Sequence, residues 1–323
     1  MQIRISVVIP TYRRPELLIK CLNALAEQSL DHTEFEIIVV SDGPDNQTGE
    51  ALDRWCNANK FNLVYLQNTE HKGPAAARNK GWLNARAECV AFTDDDCIPD
   101  SNWLQVHVEN CESKKDTAFT GKTIVPLHGT PSDFALNTSH LQEAEFITAN
   151  CACSKRILKI LGGFDERFKM AWREDSDLHF RLMRSGINIL KLRDAVVIHP
   201  VRSAPWGISI KEQKKGLYDA LLFKKHPWLY RTKVQAQPLW NYYFTLLIWV
   251  LFIISLWNNH NAGIILSALL LGLVIGFFFY KRIRATKKSA SHLSEMLITS
   301  IFIPFLSVYW RVYGSIKFRV FFI

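Results

Sequence analysis

The sequence predicts an α/β domain on a doubly wound, mostly parallel sheet, followed by C-terminal transmembrane helices. Three observations predict it. Short β-branched runs alternate with segments of helical period as far as Phe92, the signature of successive β-α-β units and a parallel sheet. The strands end in polar residues, culminating in Asp94-Asp95-Asp96, and open α/β sheets bind ligands outside the carboxyl ends of their strands. From residue 236 onward, long apolar stretches alternate with Lys/Arg clusters, as membrane helices and their cytoplasmic flanks do.

Composition supports a folded chain. The 323 residues are 48% hydrophobic and carry a net charge of +9, enough for one large or two modest domains. Basic residues concentrate from about Lys211 onward, beside the apolar segments. That placement points to a membrane surface, and no zinc-finger, RNA-binding or DNA-reading pattern argues for nucleic acid. The seven cysteines lie in the first half with no framework spacing, which suggests reduced thiols in a cytosolic compartment. The chain opens almost directly on a strand, without the pattern of a secretory leader.

In order, Ile5-Ser6-Val7-Val8-Ile9 reads as a strand ending at Pro10-Thr11, and Pro15 suits the first turn of a helix carrying Leu17, Leu18, Cys21, Leu22 and Leu25. Phe35–Val40 is a second strand ending at Ser41-Asp42-Gly43, and Ala51, Leu52 and Trp55 mark a second helix. Phe61–Leu66 is a third strand; Gly73–Gly81 is a small-residue turn opening a helix; Cys89–Phe92 is the strand that leads into the three acids. Side by side, three carboxylates repel unless solvated or neutralised by a cation, and oxygen ligands suit Mg²⁺ or Mn²⁺. Asp42 can accept from a base N–H, while Arg13 and Arg78 can fork onto phosphate oxygens. Neither Gly-x-Gly-x-x-Gly nor Gly-x-x-x-x-Gly-Lys-Ser/Thr is present, against a dinucleotide dehydrogenase and a P-loop NTPase.

Further on, Thr120–Val125 reads as a strand, Pro126–Asn137 as a loop near an acceptor, and Phe146–Cys153 as a strand before a helix that Gly162-Gly163 ends. Trp172-Arg173-Glu174-Asp175-Ser176-Asp177 opens another helix, where acids are favoured by the dipole alone. Ile187–Leu192 and Ala195–Ile198 are short strands ending at His199-Pro200. His199 is either a ligand to a metal or diphosphate, or an ordinary polar loop residue.

These stretches resemble the family 2 glycosyltransferases of GT-A fold. The matching residues are Ser6–Arg14, Ile37–Gly43, Gly73–Gly81 with its Ala77-Arg78-Asn79, Phe92–Asp96, Gly162–Glu166 and Trp172–Leu178, in the family's order over about the first 200 residues. Ser41 departs from the pattern where the family often has a second acid, but Asp42 keeps the nucleotide class. The resemblance implies a GT-A-like sheet with a nucleotide half and an acceptor half. It implies nucleotide binding by Pro10, Thr11, Arg13, Asp42, Arg78, Asp94 and Asp95, and a divalent metal, Mg²⁺ or Mn²⁺, on Asp94, Asp96 and His199. Asp175 would be the catalytic base that deprotonates the acceptor hydroxyl, with Glu174 and Trp172 positioning the acceptor. The expected donor is a UDP-, GDP- or dTDP-sugar. The expected acceptor is a glycan or lipid-linked molecule, in cell-surface polysaccharide or glycolipid synthesis. A nucleotidyltransferase would carry a Gly-rich, Lys/Arg-bearing turn after the first strand, which Pro10–Pro15 lacks. A nucleotide-sugar-binding scaffold or sensor without transferase activity remains the alternative, and the intact acidic motifs speak against it. A channel ranks below both, since two or three spans are few for a pore.

Leu239–Trp257 and Ala262–Tyr280 are each about 19 residues, long enough to span the hydrocarbon core. The polar link between them makes a hairpin. Lys224, Lys225, Arg231 and Lys233 precede it and Lys281-Arg282-Ile283-Arg284 follows, which places both flanks in the cytoplasm. Leu293–Trp310, with Glu295 and Pro304, is a weaker stretch read as a third span. Trp206–Pro227 is either an amphipathic interface helix or one that packs on the domain. The expected organisation is a catalytic domain over 1–205, a basic interface segment over 206–235 and a membrane region over 236–323, in a multi-pass protein of the cell membrane with its catalytic domain cytoplasmic.

Overall fold

The computed structural model describes residues 2–59 and 61–322. The alternation of the N-terminal half becomes β1 (Ile5–Thr11), α1 (Pro15–Ala26), β2 (Phe35–Ser41), α2 (Asn46–Asn59), β3 (Leu63–Gln67), α3 (Pro74–Asn84) and β4 (Cys89–Phe92). The chain continues with β5 (Ile98–Pro99), α4 (Trp103–Ser113), β6 (Thr117–Ile124), α5 (Asp133–Ser139), β7 (Cys151–Ser154), α6 (Lys155–Leu161), α7 (Glu174–Arg184) and β8 (Asn188–Ile198). Every residue of β1, β2 and β4 is buried, as continuous apolar runs in a sheet covered on both faces must be. The two faces carry separate cores. Val7, Ile9, Ile37 and Val39 meet Leu18, Leu22, Leu25 and Trp103 on one side. Val8, Ile38, Val40 and Phe92 meet Ala77, Trp82, Leu158 and Phe164 on the other.

The strand order is β3-β2-β1-β4-β7-β6-β8-β5. The first four strands run parallel. Beyond them β7 runs antiparallel to both β4 and β6, β8 parallel to β6, and β5 antiparallel to β8. The sheet is therefore mixed but mostly parallel, as expected: β3, β2, β1, β4, β6 and β8 run one way, and β7 and the two-residue β5 run the other. Some elements differ from expectation. The two short strands at 187–198 are one strand, with a register shift where Gly121 pairs Leu192 but Lys122 pairs Val196. The skipped Arg193–Ala195 looked like an interruption because a bulge breaks alternation without ending the strand. Helix α4 lies in a stretch for which no element was expected, and the loop expected over Pro126–Asn137 contains most of α5.

Cys89 of β4 is disulfide-bonded to Cys111 of α4, and the other five cysteines are free. This corrects the expectation of reduced thiols throughout. The separation of 22 residues carries no motif; it is the packing of α4 beside β4 that brings the pair together.

The chain divides into two compact units. One runs to Pro126 and resumes over Ser139–Val201; the other takes Leu127–Thr138 and the chain from Arg202 onward. The second contains α8 (Ile208–Glu212), α9 (Gly216–Lys225), α10 (Pro227–Lys233), α11 (Trp240–Trp257), α12 (Asn261–Ile283) and α13 (Ala290–Phe318). The last three are long and apolar enough to cross a membrane. Phe244, Leu251, Leu266, Leu269, Leu273 and Phe277 stand exposed along α11 and α12, a surface that suits lipid and not water. Pro304 sits inside α13; it removes one backbone donor, a defect membrane helices tolerate when hydroxyls and neighbouring helices re-satisfy the backbone.

Candidate active site

All of the motif residues lie in the first unit. At the end of β1 the Thr11 hydroxyl donates to Asp95 at 2.7 Å and the Arg14 guanidinium pairs with the other Asp95 oxygen at 2.8 Å. Asp95 has no exposed surface. Burial pushes its carboxyl up to about 7, against the pull of Arg14 and Thr11. Its oxygens thus face the β1 loop and join the first strand end to the fourth. Pro10 and Thr11 are buried with β1. Arg13 takes a left-handed conformation, φ 53°, its backbone N–H donating to Asp45 at 2.9 Å and its guanidinium lying over the Tyr12 ring.

At the end of β2, Asp42 is held by the loop that precedes α3. One oxygen accepts from Lys72 N–H at 2.9 Å and Asn68 Nδ2 at 3.3 Å; the other accepts from Gly73 N–H at 2.8 Å and lies 2.8 Å from His71 Nδ1. A carboxylate offers about four acceptor positions, and these are all engaged. A base N–H would have to displace one partner, and His71, whose side chain is 58% exposed, is the least fixed. Its ring lies against Tyr12 with centroids 4.7 Å apart and the planes tilted by 30°. Tyr12, Asn68 and His71 went unremarked in the sequence, although Tyr12 stands inside a strand-end motif. Gly73 needs φ +100°, and a Cβ there would lie 2.7 Å from the Lys169 backbone, so only glycine serves.

Helix α3 carries the central ion-pair node. Arg78 is almost fully buried; one Nη donates to Asp94 at 2.8 Å and the other to Glu174 at 3.0 Å. The two acidic motifs, 80 positions apart from Asp94 to Glu174, thereby meet on one guanidinium. Each Nη thus has one of its two N–H groups engaged, and Nε has no hydrogen-bond partner among the described residues. Burial alone would raise the Asp94 carboxyl, but the Arg78 charge holds it below the ordinary range. Burial pushes Glu174 up to about 7, opposed by Arg78 and assisted by the charge of Asp175. The second oxygen of Glu174 is buried with no hydrogen-bond partner among the described residues. Asn79 exchanges two hydrogen bonds with the Phe164 backbone, at 2.8 and 2.9 Å, and donates to Glu166. The Gly162–Glu166 motif is thus a structural brace, with Gly163 at φ +67° against Asn79.

Asp175 sits in the first turn of α7, partly exposed, one oxygen accepting from the Ser176 N–H at 2.6 Å. The preceding Arg173 is left-handed, φ 75°, and its guanidinium lies over the Trp172 ring, 4.4 Å from the centroid. Trp172, Glu174 and Asp175 therefore cluster at one helix start, with Glu174 turned into the protein toward Arg78.

Asp96, Cys97 and His199 each offer one ligand atom, and these atoms lie within 4.8 Å of one another. His199 N–H donates to Ile124 O at 2.8 Å, its Nε2 is 3.8 Å from Asp96 Oδ1, and its Nδ1 is buried without a hydrogen-bond partner among the described residues. A buried imidazole nitrogen with no partner is what a metal ligand looks like before the metal is counted. Burial raises the Cys97 thiol well above its ordinary value, so it stays protonated and a weak ligand. The effective donors are carboxylate oxygen and imidazole nitrogen, which fit Mn²⁺ and, less well, Mg²⁺. Of the expected ligands, Asp96 and His199 come together; Asp94 turns to Arg78.

Residues 6–158 match the Glycosyl transferase family 2 profile. Glycosyltransferase AglE of Haloferax volcanii is 28% identical over 220 residues, which cover 65% of this chain and 70% of that protein. The hyaluronan synthase of Pasteurella multocida is 24% identical, over 70% of this chain but 28% of the much longer synthase. Among solved structures, the mannosyltransferase PcManGT of Pyrobaculum calidifontis, in complex with GDP-Man and Mn²⁺, superposes with a TM-score of 0.58 at 20% identity, covering 94% of this chain and 88% of that one; at that identity the likeness is one of fold.

Proposed function

Given that residues 6–158 form a family 2 glycosyltransferase domain of GT-A fold, we propose that this chain is an inverting, metal-dependent glycosyltransferase anchored in the cell membrane. It moves a hexose-type sugar from a nucleoside-diphosphate donor to a glycan or lipid-linked acceptor. The observation that carries the reading is the buried Arg78, which joins Asp94 on the donor side to Glu174, neighbour of Asp175, on the acceptor side. A site that must bring two substrates together needs such a brace.

On this reading the nucleotide lies along the ends of β1 and β2, its base at Asp42 with Tyr12 and His71 beside it and its phosphates toward Arg13. Asp96 and His199 hold the divalent ion, which when bound supplies positive charge to the leaving diphosphate. Asp175 accepts the proton of the acceptor hydroxyl as that oxygen bonds to the anomeric carbon. The carbon–oxygen bond to the diphosphate breaks on the opposite face, so the configuration inverts. Glu174, raised by burial and tied to Arg78, keeps the start of α7 in place beside Asp175. The GDP-Man and Mn²⁺ bound to a structural neighbour and the polysaccharide-forming activity named for the hyaluronan synthase support the donor class, the ion and a role in surface glycan synthesis.

The cytoplasmic side for the catalytic domain rests on the Lys/Arg flanks of the α11–α12 hairpin and on where nucleotide sugars are found. The Cys89–Cys111 bridge removes thiol chemistry from that argument, since disulfides are uncommon in the cytosol. The test is Asp175→Asn in the full chain. Transfer should fall by about a thousandfold or more, while nucleotide-sugar binding by calorimetry stays within about threefold. Turnover near the wild-type rate would remove Asp175 from the role of base.

A further inference from the structure

Residues Leu127–Thr138 belong to the second unit, although the chain on either side of them belongs to the first. The segment follows β6 in the chain: Ile124 is the last residue of that strand, it pairs with Ile198, and its carbonyl accepts from the His199 N–H at 2.8 Å. A loop leaving a strand at that end lies where α/β sheets bind ligands.

Within the second unit the segment is held by one arginine. Arg282 stands near the C-terminal end of α12, its side chain 8% exposed. One Nη donates to Asp133 at 2.8 Å and to Ser209 at 3.1 Å; the other donates to Thr299 at 2.6 Å and Ser300 at 3.2 Å. Thr299 and Ser300 in turn donate to backbone carbonyls of α13. A second tie runs from the Lys287 N–H to the Pro131 carbonyl at 2.9 Å, and the Ser132 hydroxyl accepts from Ala135 N–H at the start of α5. An arginine at the end of a membrane helix ordinarily extends to the headgroups. Arg282 instead turns inward, its charge matched by Asp133 and its remaining donors by three hydroxyls on two helices. Such placement is costly unless every donor is met, so it marks a position with a task.

We propose that Arg282 is a positioning residue: through Asp133 it holds segment 127–138 on the membrane helices in the conformation that receives a bilayer-embedded acceptor. The proposal rests on the transferase reading above and narrows its acceptor to one presented by the membrane. The segment follows β6 in the chain, and it is tied to Arg282 of α12 and to Lys287 in the link between α12 and α13.

The experiment uses the full chain in phosphatidylcholine/phosphatidylglycerol nanodiscs, a panel of nucleotide sugars and a polyprenyl-diphosphate-linked saccharide, which presents sugar hydroxyls, as the acceptor probe. Asp133→Asn and Arg282→Lys should raise KM for the lipid-linked saccharide about tenfold while kcat at saturation changes less than about twofold. Amide exchange over 127–138 should quicken by about tenfold. The exchanged pair Asp133→Arg with Arg282→Asp should recover part of both. Faster exchange with an unchanged KM, or unchanged exchange in both variants, overturns the latch. Transfer to a water-soluble glycan but not to the lipid-linked saccharide overturns the bilayer acceptor. A wild type that turns over no nucleotide sugar sinks the transferase reading alone, and exchange then decides the latch by itself.

Discussion

Replacing Arg78 by methionine should destabilise the first unit through the two carboxylates it leaves behind. The Arg78 side chain is 3% exposed, Glu174 4% and Asp94 26%. Removing one partner of a buried pair costs about 3–5 kcal/mol, because the remaining charge is stranded away from water. Water screens most of the charge left on Asp94, so its share is under about 1 kcal/mol. With Glu174 ionised the two contributions give about 4 kcal/mol, or about 10 °C in melting temperature for a unit of this size, a limit approached only above the Glu174 titration near 7. Thermal unfolding of the full chain in nanodiscs, followed by near-ultraviolet circular dichroism, reads this. Arg78→Met combined with Glu174→Gln should recover at least about half of the loss, since a neutral amide no longer needs the counter-charge. The pH dependence has a definite sign. Burial already lifts Glu174 to about 7 with Arg78 present, and removing Arg78 lifts it further. In the variant the carboxyl is therefore neutral at pH 6 and strained toward ionisation at pH 8, so the single-variant loss shrinks on acidification. A melting temperature within about 2 °C of wild type, or a double variant less stable than the single, would refute the argument.

Two further predictions concern stability away from the chemistry. His107 is fully buried on α4, and burial lowers its ring from 6.5 to about 4. The unfolded chain takes up this proton first, so the contribution is complete above about pH 6.5 and is lost as pH falls toward 4, to a limit of about 3 kcal/mol; denaturant titrations of His107→Gln should lack that part of the acid slope, and an identical slope would refute the assignment. The Cys89–Cys111 bridge spans 22 residues, for which loop closure predicts about 3 kcal/mol; dithiothreitol should lower the wild-type midpoint accordingly and leave Cys111→Ser unmoved, and a wild type indifferent to reductant would count against a formed bridge.

The nucleotide half of the fold was legible because each of its strands is a short apolar run followed by a polar turn, and parallel β-α-β units leave little topological choice. The acceptor half was less so. The bulge at Gly121/Lys122 breaks period-two alternation, and α4 places His107, Trp103 and Cys111 where spacing alone suggested no regular element. The candidate membrane helices α11 and α12 were read within three residues of their ends, since length and apolarity suffice there; the third stretch, read to Trp310, runs on to Phe318. That segment 127–138 belongs with them was not readable, because the Asp133–Arg282 pair joins positions 149 apart.

In the site, the motif letters marked which residues matter locally but not what they touch. Asp95, read as a nucleotide contact, faces Thr11 and Arg14; Arg78, read as a phosphate contact, faces Asp94 and Glu174; Asn79 faces Phe164 and Glu166. In each case a charged or amide side chain of a motif is buried against another motif. The physical reason is common to all: a polar group within a close-packed strand end must be satisfied by protein before any ligand arrives. Sequence order cannot reveal such pairing, because the partners lie tens of positions apart. Asp175 and His199 differ in kind. Asp175 is partly exposed and bonded only to the residue that follows it among the contacts described, and His199 presents a buried nitrogen with no hydrogen-bond partner among the described residues. A side chain kept in reserve by the fold is a better indicator of chemistry than membership in a motif, and on that criterion the metal role proposed for the acidic triplet falls to its last member, 3.8 Å from His199, while its first two pair with Arg78, Thr11 and Arg14.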